Sequence, residues 1–379
     1  MSRIIAVTHE FHPFPGGIAV YVREMALAAA RLGHSVEVWC PRGTGLDAAG
    51  AGAAYSVRHF AAGGTQGWLS RLATARLWRE RADDVRGATL WLAEPCALLT
   101  GMYAGALGLP VPRRLLLTLH GSEVLTLTRA RSPHRRWLFK RLLARADGVS
   151  TLSRAVARLL AERTGFPAER VILAPGAART DLPTAAGDTD ADAAAGAGTV
   201  RILAVGRLHP RKGQAALLEA AALLPPETRR RCLFTFAGKI VRPNYNARLL
   251  ELARRAALRV EFTGAVPDAA LPALYAAADI FAMTSEPQSA SVEGFGLVLL
   301  EAAAAGLPAL AHDTGGVGEV IADGETGLLV AHTDRPALAR ALERLVLDAP
   351  LRRRLGDAAR RRAATFSWDT SASRLFGTP

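Results

Sequence analysis

Short apolar, strand-like runs alternate with amphipathic helical stretches along this whole 379-residue chain. In the first half such runs fall near residues 4–7, 36–39, 88–92, 115–119, 148–151 and 171–173. The segment "DLPTAAGDTDADAAAGAG" then breaks the pattern, having no apolar period and little but Asp, Ala, Gly and Thr. Beyond it the alternation restarts, with runs at 200–205, 233–237, 260–263, 279–283, 308–311 and 328–330. Strands separated by helical stretches imply parallel sheets covered on both faces. Two such series predict an α/β protein with two doubly wound domains: residues 1–182, a surface linker at 183–198, and residues 199–363. A last helix, about 364–379, is expected to pack back on the first domain. Ligands in such sheets bind outside the carboxyl ends of strands, so the residues just after each strand hold the candidates.

Composition narrows the setting. Half of the residues are apolar, yet no apolar run reaches the length that spans a bilayer. The N-terminus "MSRIIAV" lacks the sections of a signal peptide, which predicts a cytoplasmic protein. Cys40, Cys96 and Cys232 are odd in number and widely spaced, so buried free thiols are expected. The net charge of +13 is carried almost wholly by arginine, and residues 111–180 hold 14 Lys and Arg against 4 acids. Anionic substrates, an anionic membrane surface and nucleic acid all suit that excess, although no nucleic-acid motif is present.

Four stretches can carry chemistry. In "FHPFPGGIAVYVREMALAAARLGH", Gly16 and Gly17 stand at the start of a helix whose apolar face is read through Val20, Met25, Leu27 and Leu32. Glycines there let backbone N–H groups approach an anion, and a tight turn with no ligand explains them equally well. In "ILAVGRLHPRKGQAALLEA", Arg207 and Lys212 flank a turn between strand and helix, an arrangement suited to a diphosphate. A solvated basic loop is the plain alternative, but Lys212 is one of three lysines in a chain that otherwise uses arginine. In "LLLTLHGSE", His120 follows an apolar strand, where a structural histidine is the commoner case.

The fourth is "SVEGFGLVLLE", in which Glu293 and Glu301 bracket a Gly-Phe-Gly turn. On one continuous helix these acids would lie about 12 Å apart and about 80° around it. That exceeds the spacing of a glycosidase carboxylate pair. Gly294 and Gly296 also disfavour a continuous helix. The expected arrangement puts Glu293 in a loop, a helix start near Gly296, and Glu301 one to two turns inside. Backbone N–H groups of the loop then face phosphate or hydroxyl groups, and each acid accepts from a separate set of hydroxyls. Taken singly, Glu293 also fits a helix cap and Glu301 a surface position. No Walker loop, His-Glu-x-x-His or Gly-x-Ser-x-Gly occurs, and "DTGGVGE" is read as a further close backbone approach to the same ligand.

Gly16-Gly17, His120, "GRLHPRKG" and "VEGFGLVLLEAAAAGLP", in this order and spacing, resemble the family 4 (group 1) glycosyltransferases, and the likeness covers nearly the whole chain. The resemblance implies the GT-B fold, two doubly wound Rossmann-like domains facing a central cleft. It also implies a retaining, metal-independent transferase that moves a hexosyl unit from a nucleoside-diphosphate sugar to a sugar or lipid-linked acceptor. By that likeness Arg207 and Lys212 neutralise the diphosphate, Glu301 holds the ribose, and Glu293 with Gly294, Phe295, Gly296 and Leu297 holds the donor sugar. Gly16 and Gly17 meet the phosphates, and His120 sits beside the donor sugar near the acceptor. No cofactor or metal is implied. The Asp-x-Asp patterns at 188–190 and 190–192, which resemble a metal-holding pattern of another glycosyltransferase architecture, fall in the linker and are read as solvated acids.

Two departures stand out: "FTFAGKIVRPNY" lacks the usual glycine-rich pattern, leaving base recognition near Lys239 open, and "SEPQSASVEG" is longer than the common form. The longer loop and "PRKGQ" resemble phosphatidylinositol mannoside mannosyltransferases, which points to GDP-mannose ahead of a UDP-sugar, and to cell-envelope polysaccharide or glycolipid synthesis. The basic run 129–145 interleaves Trp137, Leu138, Leu142 and Leu143 with Arg135, Arg136, Lys140 and Arg141. It suits either a peripheral contact with anionic membrane or a helix packed on its domain with arginines in solvent. The competing functions are a nucleotide-sugar epimerase of the same fold and a non-catalytic membrane- or nucleic-acid-binding protein.

Overall fold

The computed structural model describes residues 2–12, 14, 16–42, 54–61, 67–129, 132–179 and 198–378. The expected linker therefore lies outside the described residues, apart from residue 198. The chain forms two compact units: one holds the residues up to Gly176 together with those from Ser367 onward, the other Ala177–Phe366.

The first unit is built on a seven-stranded sheet of β1 (Arg3–Val7), β2 (Ser35–Pro41), β3 (Ser56–Phe60), β4 (Thr89–Leu92), β5 (Arg114–Leu119), β6 (Gly148–Thr151) and β7 (Val171–Leu173). Every pairing is parallel, in the order β3-β2-β1-β4-β5-β6-β7. The second sheet holds β8 (Val200–Val205), β9 (Cys232–Ala237), β10 (Arg259–Gly264), β11 (Ile280–Met283), β12 (Ala309–His312) and β13 (Gly327–Val330). It is also parallel throughout, in the order β10-β9-β8-β11-β12-β13. Both are doubly wound, with strand order reversing between β1 and β4 and between β8 and β11. Central strands are apolar at consecutive positions because helices cover both faces; Ile4, Ile5, Ala6 and Val7 are all buried.

The expected strands are present, and β3 is one the sequence reading missed. It is an edge strand that pairs only with β2, and its "SVRHF" holds just two separated apolar residues and no apolar run. The first helix, Gly17–Arg31, needs a second correction. Its buried stripe runs through Ala19, Tyr21, Val22, Met25, Ala26, Ala28 and Ala29, whereas Val20, Leu27 and Leu32 are only partly covered.

Alanines carry that face because the C-terminal helix, Trp368–Phe376, packs against it within the same unit. Trp368 meets the Tyr21 ring edge-on at 5.7 Å, Phe376 meets Trp91 at 5.2 Å, and Ser371 Oγ donates to the Pro175 carbonyl at 2.6 Å. Arg31 and Asp369 add an exposed ion pair at 2.6 Å, which contributes little beside this burial. The three cysteines are buried and free, and burial pushes their thiols up to about 12, 12 and 11 for Cys40, Cys96 and Cys232. Trp368 is 3 % exposed, so Trp368→Ala should lower unfolding free energy by about 3–5 kcal/mol, read from denaturant midpoints.

Candidate functional site

At the switch point of the second sheet, two loops are sewn together by backbone contact. The turn Pro210–Lys212 follows β8 and ends at Gly213, whose φ of 68° is left-handed. A Cβ at Gly213 would sit 1.6 Å from the Thr284 carbonyl oxygen, so only glycine allows this approach. Thr284 Oγ1 donates to the Gly213 carbonyl at 2.8 Å, and the Glu286 N–H donates to the Arg211 carbonyl at 2.8 Å. The turn is thereby held against the segment that follows β11.

This brings three donors onto one oxygen of Glu293. Lys212 Nζ lies 2.8 Å from Glu293 Oε2, Arg211 Nη1 3.0 Å and Ser285 Oγ 3.1 Å. The Glu293 backbone is fixed in turn, since its carbonyl accepts from the Gly316 N–H at 3.0 Å. A Cβ at Gly315 would lie 1.9 Å from that carbonyl oxygen. The glycines of "DTGGVGE" thus make their close approach to the protein's own chain. Burial alone would raise the Glu293 carboxyl, but the charges of Lys212 and Arg211, with hydrogen bonds from Lys212 and Ser285, outweigh it and hold it at about 2.

The wider setting is cationic. Burial lowers the His209 imidazole pKa, and so do the charges of Arg242, Arg211, Arg207 and Lys212. Four cations therefore surround the end of β8. Arg207 is exposed, and its carbonyl accepts from Gln214 Nε2 at 3.1 Å; Arg211, which the sequence reading passed over, is the second cation on Glu293. Lys239 is exposed, and its carbonyl accepts from the Leu208 N–H at 2.9 Å. His312, at the end of β12, is fully buried, with Nδ1 3.3 Å from the Ser285 carbonyl; burial brings its pKa down to about 4.

The loop after Glu293 turns into a helix where expected. Gly296 is left-handed at φ 87° and precedes the helix Leu297–Ala304. Phe295 is buried and meets Phe366 edge-on at 5.8 Å, and Leu297 is buried as well. Their side chains thus serve the core. Glu301 lies inside the helix, also buried, and accepts from Tyr275 Oη at 2.7 Å.

Gly16, Gly17 and His120 belong to the first unit. Gly16 and Gly17 are exposed at the start of the helix Gly17–Arg31, with no side-chain cap. Gly16 is extended at φ 168°, a conformation open to any residue, so backbone strain does not require glycine here. His120 Nε2 lies 2.9 Å from the Ala93 carbonyl, which only a protonated nitrogen can satisfy, so Nε2 donates. Glu123 Oε1 accepts the His120 N–H and, at 3.1 Å, that of Gly121.

At the switch point of this unit, His9 Nδ1 lies 2.6 Å from Glu94 Oε1 with both side chains buried. Cys96 brings a third ligand-type atom within 4.8 Å, although its spacing from His9 gave no metal pattern in the sequence. Glu94 already accepts from the Cys96 and Ala97 N–H groups, and His9 Nε2 lies 2.9 Å from Thr74 Oγ1. The polar groups of this His–Glu pair are thus satisfied within the protein.

Arg211, Ser285, Glu123 and Tyr275 went unread in the sequence. Arg211 sits inside the quoted "PRKG", and Ser285 directly follows a strand at its carboxyl end, so both carried a positional signal. Tyr275 reaches Glu301 across 26 residues and carried none.

Comparison with known proteins gives the family and the fold. Residues 15–182 match the family described as Glycosyltransferase Family 4, and residues 190–362 match Glycosyl transferases group 1. The chain belongs to this glycosyltransferase family and is a glycosyltransferase of the GT-B fold. It is 32 % identical to the GDP-mannose-dependent alpha-(1-6)-phosphatidylinositol monomannoside mannosyltransferase of Mycolicibacterium smegmatis, over 98 % of this chain and 97 % of that protein. It is 31 % identical to the D-inositol 3-phosphate glycosyltransferase of Rhodococcus erythropolis, over 95 % and 85 %. Among solved structures, sucrose-phosphate synthase from Thermosynechococcus elongatus matches with TM-score 0.80 at 23 % identity, covering 99 % of this chain and 98 % of that one. Anabaena HepE, solved with UDP and glucose, matches with TM-score 0.79 at 22 % identity, covering 100 % and 99 %. The relatives share transfer of a sugar and favour neither the epimerase nor the non-catalytic alternative.

Because folding lowers the Glu293 pKa from 4.5 to about 2, the stabilisation is present above about pH 4.5 and is lost as pH falls toward 2. It amounts to about 3 kcal/mol. Glu293→Gln should flatten the stability profile between pH 5 and 2 by that amount, measured as urea unfolding across pH.

Proposed function

We propose that this enzyme moves a hexosyl unit, with retention, from a nucleoside-diphosphate sugar to a sugar or lipid-linked acceptor, and that GDP-mannose is its donor. The observation that carries this reading is the group of four cations, Arg207, Arg211, Lys212 and Arg242, around the end of β8 beside the Glu293 carboxylate. A diphosphate brings the negative charge such a group accepts, and the adjacent carboxylate accepts from sugar hydroxyls. GDP-mannose is favoured because the mycobacterial relatives are named for it.

Lys212 and Arg207 stabilise the charge that collects on the diphosphate as the sugar leaves. Glu293 orients the sugar, and Arg211 holds Glu293. Catalysis then rests on positioning and preorganised charge. Fixed cations perform the task that a metal serves elsewhere, and no metal enters this reading. Glu301 accepts from the ribose, Gly16 and Gly17 offer N–H groups to phosphate, and His120 stands on the acceptor side. The phosphate itself takes part in deprotonating the acceptor, in keeping with the family.

A thermal-shift screen against GDP-, UDP- and ADP-sugars tests the donor, since a ligand bound only by the folded state raises the melting temperature. GDP-mannose should give the largest rise, and a larger rise with a UDP- or ADP-sugar would reject it. Lys212→Ala and Glu293→Gln should each reduce kcat/KM for transfer at least about 100-fold. Full activity in either variant would undo the assignment.

A lipid-linked acceptor would bring the enzyme to a membrane, and no helix of the described residues is long and apolar enough to cross one. We propose a peripheral electrostatic contact through the helix Pro133–Arg145. Leu138, Phe139, Leu142 and Leu143 pack inward, as the reading of a helix packed on its domain expects, which leaves the charged outward face for any membrane contact. The outward face holds Arg135, Arg136, Lys140 and Arg141 around Trp137, with Arg141 5.1 Å from the Trp137 ring. Binding by such a face is sensitive to salt. The protein should float with anionic liposomes at low salt and be released at high salt, and failure to float at low salt would sink the proposal.

A further inference from the structure

Tyr275 lies in the helix Leu271–Ala276 and Glu301 in the helix Leu297–Ala304, so the bond between them ties two separate elements together. Tyr275 is 1 % exposed and Glu301 5 %. The phenol lies 2.7 Å from Glu301 Oε2, and its ring packs on Phe281 with centroids 5.9 Å apart. The direction of the bond is settled by chemistry: burial first, then the charge and hydrogen bonding of Glu301, push the phenol well above its ordinary range. The hydroxyl keeps its proton, and the carboxylate accepts.

A glutamate side chain swings about three torsions, and its carboxylate plane decides which neighbouring hydroxyls it can meet. An ionised carboxylate offers about four acceptor positions, so a bond to a phenol helps to orient it without exhausting it. The vicinal 2′- and 3′-hydroxyls of a ribose are two donors on adjacent carbons, and meeting both requires the carboxylate plane to be set. We propose that Tyr275 is a positioning residue for ribose recognition, fixing the Glu301 carboxylate in the orientation that meets both hydroxyls. This rests on the reading that Glu301 takes the donor's ribose.

Calorimetry tests it, using GDP, UDP and ADP with the wild-type protein and then the 2′,3′-dideoxy form of whichever binds tightest. Wild type should prefer the ribonucleotide at least about tenfold, the loss expected for hydrogen bonds to a charged group. In Tyr275→Phe, which keeps the ring, that preference should shrink to within about threefold while affinity for the dideoxy nucleotide is retained. A preference equal to wild type in Tyr275→Phe would overturn the proposal and leave the Glu301 reading standing. Equal weakening of both nucleotides would also overturn it, because that marks a merely structural role. No preference in the wild type would remove the Glu301 reading and the proposal with it. Should Tyr275→Phe not fold, Tyr275→Leu, which likewise removes the hydroxyl beside Glu301, carries the same comparison with the same outcomes.

Discussion

One carboxylate oxygen organises the second unit. Glu293 Oε2 takes Lys212, Arg211 and Ser285 together, the two cations from the turn that follows β8 and the hydroxyl from the segment that follows β11. That convergence depends on backbone approaches closed to any side chain, Gly213 on Thr284 and Gly315 on Glu293. A buried ion pair is weak evidence for stability, because desolvation offsets much of its attraction. Its value here is preorganisation. Two cations and a hydroxyl are fixed around one acid before any substrate arrives, with Arg207 and Arg242 adding to the positive field. On the proposed reading, an incoming diphosphate meets Arg211 and Lys212 already aligned.

The first unit solves a different problem with different means. Its switch point is closed by the buried pair of His9 and Glu94, whose polar groups are satisfied internally. Beside that plug, His120 is held at both its ring and its backbone, by the Ala93 carbonyl and by Glu123. With Nε2 occupied as a donor to Ala93, the other ring nitrogen of a neutral imidazole is the acceptor. A histidine fixed in this tautomer presents Nδ1 as a hydrogen-bond acceptor.

Much of the architecture was legible because parallel strands buried on both faces write themselves as apolar runs, as Ile4–Val7 and Ile280–Met283 do. The edge strand β3 was not, since "SVRHF" is only partly buried and has no apolar run. The buried face of the first helix was misread for a related reason: alanine is a weak hydrophobic signal, yet it forms the surface against which Trp368 packs. Of the site, Lys212 and Glu293 were legible as a rare lysine and an acid in a glycine loop. Arg211 stood beside Lys212 unremarked, because sequence alone does not tell which of two neighbouring cations turns toward a carboxylate. Tyr275 had no local mark at all; its role exists only through a contact between two helices.

Glu293 and Glu301 read as twin contacts in the sequence, and their surroundings separate them. Glu293 is balanced by two formal positive charges, so its ionisation is coupled to the same cations that a diphosphate would engage. Whatever draws Lys212 toward phosphate weakens its hold on Glu293 and leaves that carboxylate seeking new donors, which sugar hydroxyls supply. Among the contacts of Glu301 is a neutral phenol, which a ligand's charge does not draw away. On the proposed roles, the first acid responds to the state of the diphosphate during transfer, while the second holds the part of the donor that does not react.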